Sequence, residues 1–187
     1  MVLEDPYTLP FAKESFDILM SSSCFEHSEM FWLSFLEMLR VTKDDGLIYL
    51  NVPSNGSFHR YPVDCWRFYP DSGVALVNWG LRNGYKCELL ESYTSNQDGD
   101  GWNDFVAVIA KNINKSVKFT DRILSNRNDF YNGIINLSSD IIRLERTTQD
   151  QRKFINIQVI TRLITRLIRR LIPRRIKETI KRLFFNK

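Results

Sequence analysis

The densest set of reactive side chains lies between Ser54 and Pro70, in the string SNGSFHRYPVDCWRFYP. One imidazole, His59, and one carboxylate, Asp64, sit there among Tyr61, Trp66, Arg67 and Tyr69. A connection that met only solvent would be polar, whereas this one is aromatic. Such a set supports proton removal from a bound nucleophile by His59 or Asp64. Tyr61, Trp66, Arg67 and Tyr69 would bind the substrate and exclude water. A second set lies upstream, at Ser22, Ser23, Cys24, Glu26 and His27. His27 is a further candidate for a base or for polarising a substrate. No metal is expected. The two histidines have no paired cysteines to complete a zinc set. Asp98-Gly99-Asp100-Gly101 is only loosely like a calcium loop, because the bidentate acid required at its twelfth position falls on Ile109.

The elements that must position these groups follow from hydrophobic spacing. Phe16–Met20 is a short apolar run of the kind a buried strand makes, and Ser21-Ser22-Ser23 ends it. From Ser28 to Val41, Phe31, Trp32, Phe35, Leu36 and Leu39 recur at three and four, which predicts an amphipathic helix with Ser28 as N-cap. Lys43–Gly46 reads as a turn and Leu47–Pro53 as a second buried strand. Strand, helix and strand with short connections make a βαβ unit, so the strands should run parallel. Both reactive sets then lie at carboxyl ends of parallel strands, where open α/β sheets bind ligands. Asp71–Asn83 reads as a helix stopped by Gly84. Tyr85–Tyr93 and Asp104–Lys111 read as an antiparallel hairpin around a turn-rich connection.

Four stretches in this order carry a family likeness. They are Leu9-Pro10-Phe11-Ala12-Lys13-Glu14-Ser15-Phe16-Asp17-Ile18, Phe25-Glu26-His27, Leu39-Arg40-Val41-Thr42-Lys43-Asp44-Asp45-Gly46-Leu47, and Val52-Pro53-Ser54-Asn55. The chain resembles the C-terminal half of a class I S-adenosylmethionine-dependent methyltransferase, over about residues 3–111. The resemblance implies an α/β fold, a partial Rossmann-like sheet equivalent to strands 4 to 7 of the family. It implies S-adenosyl-L-methionine as cofactor, with Asp5, Ser22, Ser23, Cys24 and Glu26 on the cofactor side. In the family an acid at the position of Asp5 accepts from the adenine amino group and the next N–H contacts the ring. Here the next residue is Pro6, which has no N–H.

The family's glycine-rich turn and ribose-binding acid have no counterpart, since no glycine precedes Gly46. The resemblance therefore implies a methyltransferase truncated or split before its fourth strand, with a partner chain supplying the missing half. The strand at 16–21 should then form an exposed apolar edge. The alternative reading is a non-catalytic, membrane-associated accessory or binding module, or a gene fragment. No motif specifies the methyl acceptor.

Composition bounds the rest. Of 187 residues, 43% are hydrophobic, 26% charged and 13% aromatic, which suits a packed domain and excludes a disordered chain. The three cysteines, Cys24, Cys65 and Cys87, show no pairing pattern and read as free thiols of a reducing cytosol. The first residues carry neither a basic nor an apolar leader segment. The net charge of +4 conceals an asymmetry. Residues 152–187 hold 12 Lys and Arg against one acid, Glu178, while residues 1–151 hold 14 basic and 21 acidic residues. An acidic body argues against nucleic acid as partner. In the tail, Ile160, Leu163, Ile164, Leu167, Ile168, Leu171 and Ile172 form an apolar stripe opposite Arg162, Arg166, Arg169 and Arg170. Pro173 interrupts it, and Ile176, Ile180, Leu183 and Phe184 resume it. A basic amphipathic helix pair over 154–186 fits an anionic membrane surface, giving a cytoplasmic protein peripheral on the inner face, or else docks on the acidic body or on a partner helix. The expected divisions are a partial methyltransferase domain at 1–111, a helical linker at 112–151 and the basic tail at 152–187.

Overall fold

The computed structural model describes residues 5–97 and 101–171. Two compact units divide after Glu145. In the first, β1 (Phe16–Ser22), α1 (Phe31–Val41) and β2 (Thr42–Pro53) form the expected parallel unit, with Leu19 opposite Ile48 and Ser21 opposite Leu50. Next come α2 (Asp71–Arg82), β3 (Glu88–Ser95), β4 (Asp104–Ala110) and β5 (Phe130–Ile135). The sheet order is β1-β2-β4-β3-β5, and every pairing beyond β1–β2 is antiparallel.

The main core contains Phe35 and Leu39 of α1, Leu76 and Val77 of α2, and Ile48, Leu50, Leu89 and Phe105 of the sheet. Gly80 is required here by proximity: a Cβ would lie 2.6 Å from the Cys87 sulfur and 3.0 Å from Leu39. The C-terminus of α1 is closed by the buried Lys111, whose ammonium donates to the carbonyls of Leu39 and Thr42. That charge meets the negative end of the helix and satisfies carbonyls left without helical partners.

β1 is an edge strand, as expected. Its Ile18 and Met20 are 62% and 69% exposed. Three local expectations are corrected. The turn predicted at 43–46 is strand: β2 starts at Thr42, and an irregularity between Phe16 and Ile18 absorbs the extra residues against β1. The N-cap position of α1 belongs to Met30, because Ser28 is drawn into the loop contact described below. The stretch 112–151 is not a helical linker. It contains a short 3-10 helix at Ile113–Lys118 and a single 3-10 turn at Ile123–Ser125, then β5, which pairs with β3.

Burial explains the last correction. Phe130 packs with Tyr93, Val106 and Leu124 in a second core cluster, burial that a solvent-exposed helical linker would forgo. The buried Glu91 of β3 fixes the turn above it, accepting from the N–H groups of Ile123 (2.8 Å) and Leu124 (3.0 Å).

In the second unit, α3 (Gln149–Leu171) is a regular helix whose side chains from 151 to 167 are exposed. The second tail segment predicted after Pro173 and the calcium-like Asp98-Gly99-Asp100 lie outside the described residues. Among the described residues no helix is long and apolar enough to cross a membrane.

Candidate functional site

The carboxyl ends of β1 and β2 open onto a cavity of about 1060 Å³. β1 ends at Ser22, and the N–H of the following Ser23 donates to the Asn51 carbonyl at 2.9 Å, tying the two strand ends together. The chain then makes one tight turn, Phe25–His27. The Glu26 carbonyl accepts from the N–H groups of Cys65 (2.7 Å) and Trp66 (3.3 Å), which docks the aromatic loop onto this turn. The Trp66 indole donates to the Ser28 carbonyl at 3.0 Å and its ring packs edge-on against Phe31.

His27 and His59 meet edge to face, with ring centres 4.9 Å apart. Nδ1 of His27 lies 2.5 Å from the Val63 carbonyl, and Nδ1 of His59 lies 3.1 Å from the Ser57 carbonyl. A carbonyl only accepts, so Nδ1 carries the proton in each neutral ring and Nε2 keeps the lone pair. Glu26 is buried between the turn and the loop, and its Oε2 has no hydrogen-bond partner. Burial pushes its carboxyl pKa up.

Asp64 lies behind His59. It accepts the His59 backbone N–H at 2.8 Å and a two-pronged contact from Arg67 at 2.6 and 2.9 Å. The Arg67 guanidinium holds the Asp64 carboxyl well below the usual carboxylate range. Arg67 also donates to the carbonyls of Ser57 and Trp66. It therefore braces the loop.

The loop rests on the β3–β4 connection. Gly56 has φ +107°, and a Cβ there would sit 1.7 Å from the Trp102 ring, so both the conformation and the space require glycine. Trp102 in turn packs on His59 at 5.1 Å.

Of the predicted residues, Ser22, Ser23, Cys24, Glu26, His27, His59 and Tyr61 line the cavity. Asp64, Trp66, Arg67 and Tyr69 stand outside the lining. Asp64 and Arg67 support His59, Trp66 straps the loop, and Tyr69 is exposed at the start of α2. Asp5 also lies outside the lining, with its carboxylate accepting from the Tyr7 N–H (2.9 Å) and the Thr8 hydroxyl (2.6 Å). Sequence reasoning missed Tyr7, Asn51, Trp102 and Asp104, which complete the wall. The end of β2 was the available signal for Asn51, which donates to Asp104 at 3.3 Å.

Comparison with known proteins gives one family match, over the first part of the chain. Residues 1–50 match the family model of the methyltransferase domain. No curated protein matches. Among solved structures, a Burkholderia thailandensis 1,6-didemethyltoxoflavin-N1-methyltransferase, determined with bound 1,6-didemethyltoxoflavin and S-adenosylhomocysteine, is 13% identical. The alignment covers 59% of this chain and 50% of that one, with a TM-score of 0.44. A possible histamine N-methyltransferase from Thermotoga maritima is 14% identical, with 56% and 59% covered and a TM-score of 0.40. The [4+2]-cyclase SpnF is 13% identical, with 58% and 55% covered and a TM-score of 0.41. The chain thus spans between half and three fifths of the length of each of these three. Over residues 1–50, which hold β1, α1 and most of β2, the chain is similar to the methyltransferase domain family.

Proposed function

We propose that this chain carries the acceptor side of an S-adenosylmethionine-dependent methyl-transfer site. One observation carries the reading. His27, His59 and the buried Glu26 converge on one cavity beyond the carboxyl ends of the parallel strands β1 and β2. The cofactor, when bound, supplies a methyl group on a sulfonium. The protein then has to align the acceptor, remove its proton and exclude water. Neutral His59, with its lone pair on Nε2, accepts that proton. Tyr61 and Trp102 flank it and shed water from the site.

The cofactor's adenosine half fits these residues poorly. The Asp5 carboxylate is engaged by Tyr7 and Thr8, and Pro6 offers no N–H. A partner chain supplying the adenosine clamp completes the reading. The same misfit favours a second reading, a module that binds the acceptor without transferring a methyl group.

The 187-residue chain is expected to bind S-adenosylhomocysteine with a dissociation constant above about 100 µM, roughly −5.5 kcal/mol. Calorimetry checks this. Low-micromolar binding by the chain alone would show that the adenosine clamp lies within it after all. A gain of affinity when an N-terminal half is added in trans separates the enzyme from the module.

The tail belongs to the proposal as a peripheral membrane anchor. Ile160, Leu163, Ile164 and Leu167 of α3 are each more than half exposed, an apolar stripe beside basic residues. Residues 154–186 are expected to bind vesicles containing anionic lipid and to gain helicity on binding, less so as salt rises. Each cation near such a surface contributes about 1 kcal/mol. Replacing Arg166, Arg169 and Arg170 with Glu should lower co-sedimentation at least tenfold. Undiminished co-sedimentation of the triple variant would refute the electrostatic account.

A further inference from the structure

We propose that Glu26, His27 and His59 form a binding site for a divalent first-row transition-metal cation of the zinc class. Each residue offers one donor atom, and the three donors lie within 4.8 Å of one another. They come from two segments, the turn after β1 and the aromatic loop, which the Glu26 carbonyl pins together. Two imidazoles and one carboxylate are the protein donors of catalytic zinc sites that keep an open fourth position. The cavity lies on that open side.

Three features set this cluster apart from a chance meeting of polar side chains. Glu26 is 1% exposed and its Oε2 has no partner, an unfavourable burial that a bound cation would relieve. Its closest approach to an imidazole, Oε1 to His27 Nε2, is 3.7 Å and too long for a hydrogen bond. Both imidazoles are already oriented through Nδ1, by the carbonyls of Val63 and Ser57, with Asp64 3.5 Å from Nδ1 of His59. Metal-bound histidines are held in this way, the outer nitrogen donating to a carbonyl or carboxylate while the inner one faces the ion.

Tetrahedral zinc with bonds of about 2.0–2.1 Å needs donors about 3.3 Å apart, so binding draws the cluster inward by up to about 1.5 Å. The closure falls on the two half-buried imidazoles rather than on the buried Glu26. The site requires no cofactor, so it stands whether or not the methyl-transfer reading holds. Once bound, the cation takes the imidazole lone pairs and instead acidifies a bound water or hydroxyl.

The test uses the full chain freed of metal by chelation. A Cys24→Ser/Cys65→Ser background removes the two exposed thiols as competing ligands. Zn²⁺ is titrated by calorimetry, and Co²⁺ is added as a visible probe of coordination. One equivalent of Zn²⁺ should bind, and Co²⁺ should show the strong absorption of a four-coordinate site. Glu26→Gln, which keeps the shape of the side chain, and His59→Ala, which lies in a loop, should each weaken Zn²⁺ at least tenfold. Circular dichroism should match the parent in both. Absence of binding at 1 mM Zn²⁺ in the thiol-free background overturns the proposal. So does an affinity that both folded variants leave unchanged.

Discussion

Replacing His59 with Ala is expected to lower methyl transfer about 100-fold or more in any assembly in which this chain is active, the scale of a lost general base. Three contacts make the ring a positioned base. Its Nδ1 is held by the Ser57 carbonyl, its backbone N–H is held by Asp64, and its face packs against Trp102. Asp64 is a different kind of residue. Its side chain is 2% exposed and stands outside the cavity lining, so it acts through His59 as a positioning residue. Asp64→Ala should therefore also cost about 100-fold, and the loss should fall on kcat more than on KM. Asp64→Asn retains an acceptor for the His59 N–H and should recover part of that loss, which a role in substrate contact would not allow. If His59→Ala and Asp64→Ala both turn over at the parental rate, the aromatic loop is only a lid.

Arg67→Met is expected to destabilise the first unit by about 3–5 kcal/mol, because it leaves the Asp64 carboxylate buried without its counter-ion. For a unit of this size the melting temperature should fall by on the order of 10 °C. Removing both partners in an Arg67→Met/Asp64→Leu variant should recover much of the loss, since no buried charge then remains unpaired. The pair also has a pH signature. The folded carboxyl lies below its ordinary value of 3.8, so the native state binds fewer protons than the unfolded one as pH falls through that region. The pair's stabilisation is fully present above about pH 4 and is lost progressively below it. Asp64→Asn should therefore flatten the acid side of the melting-temperature profile while lowering its neutral plateau. An acid limb identical to the parent's would mean that the pair contributes nothing to folding.

Local periodicity was enough for β1, α1, β2, α2 and the β3–β4 hairpin, because each is decided by which side chains share a face. It was enough, too, for the two ends of the site. A parallel βαβ unit puts Ser22–His27 and the start of the aromatic loop at the same end of the sheet, whatever else the chain does. The β5 strand was not legible, since Phe130 and Ile134 become strand residues only when Tyr93 and Leu89 provide a surface to bury them. Nor was the strand start at Thr42, which depends on an irregularity in a neighbouring strand.

The site itself divides in the same way. Residue types nominated His59, Asp64 and Arg67 alike, yet only packing separates the imidazole that faces the cavity from the ion pair that braces it. Trp102 reaches His59 only because its ring lies over Gly56, whose missing Cβ makes the space. Glu26 joins the two histidines because the turn after β1 is pinned under the aromatic loop, which buries its carboxylate beside both rings. Spacing along the chain carries information about faces and ends, whereas the meeting of distant side chains depends on backbone hydrogen bonds and shape complementarity that exist only in the folded state.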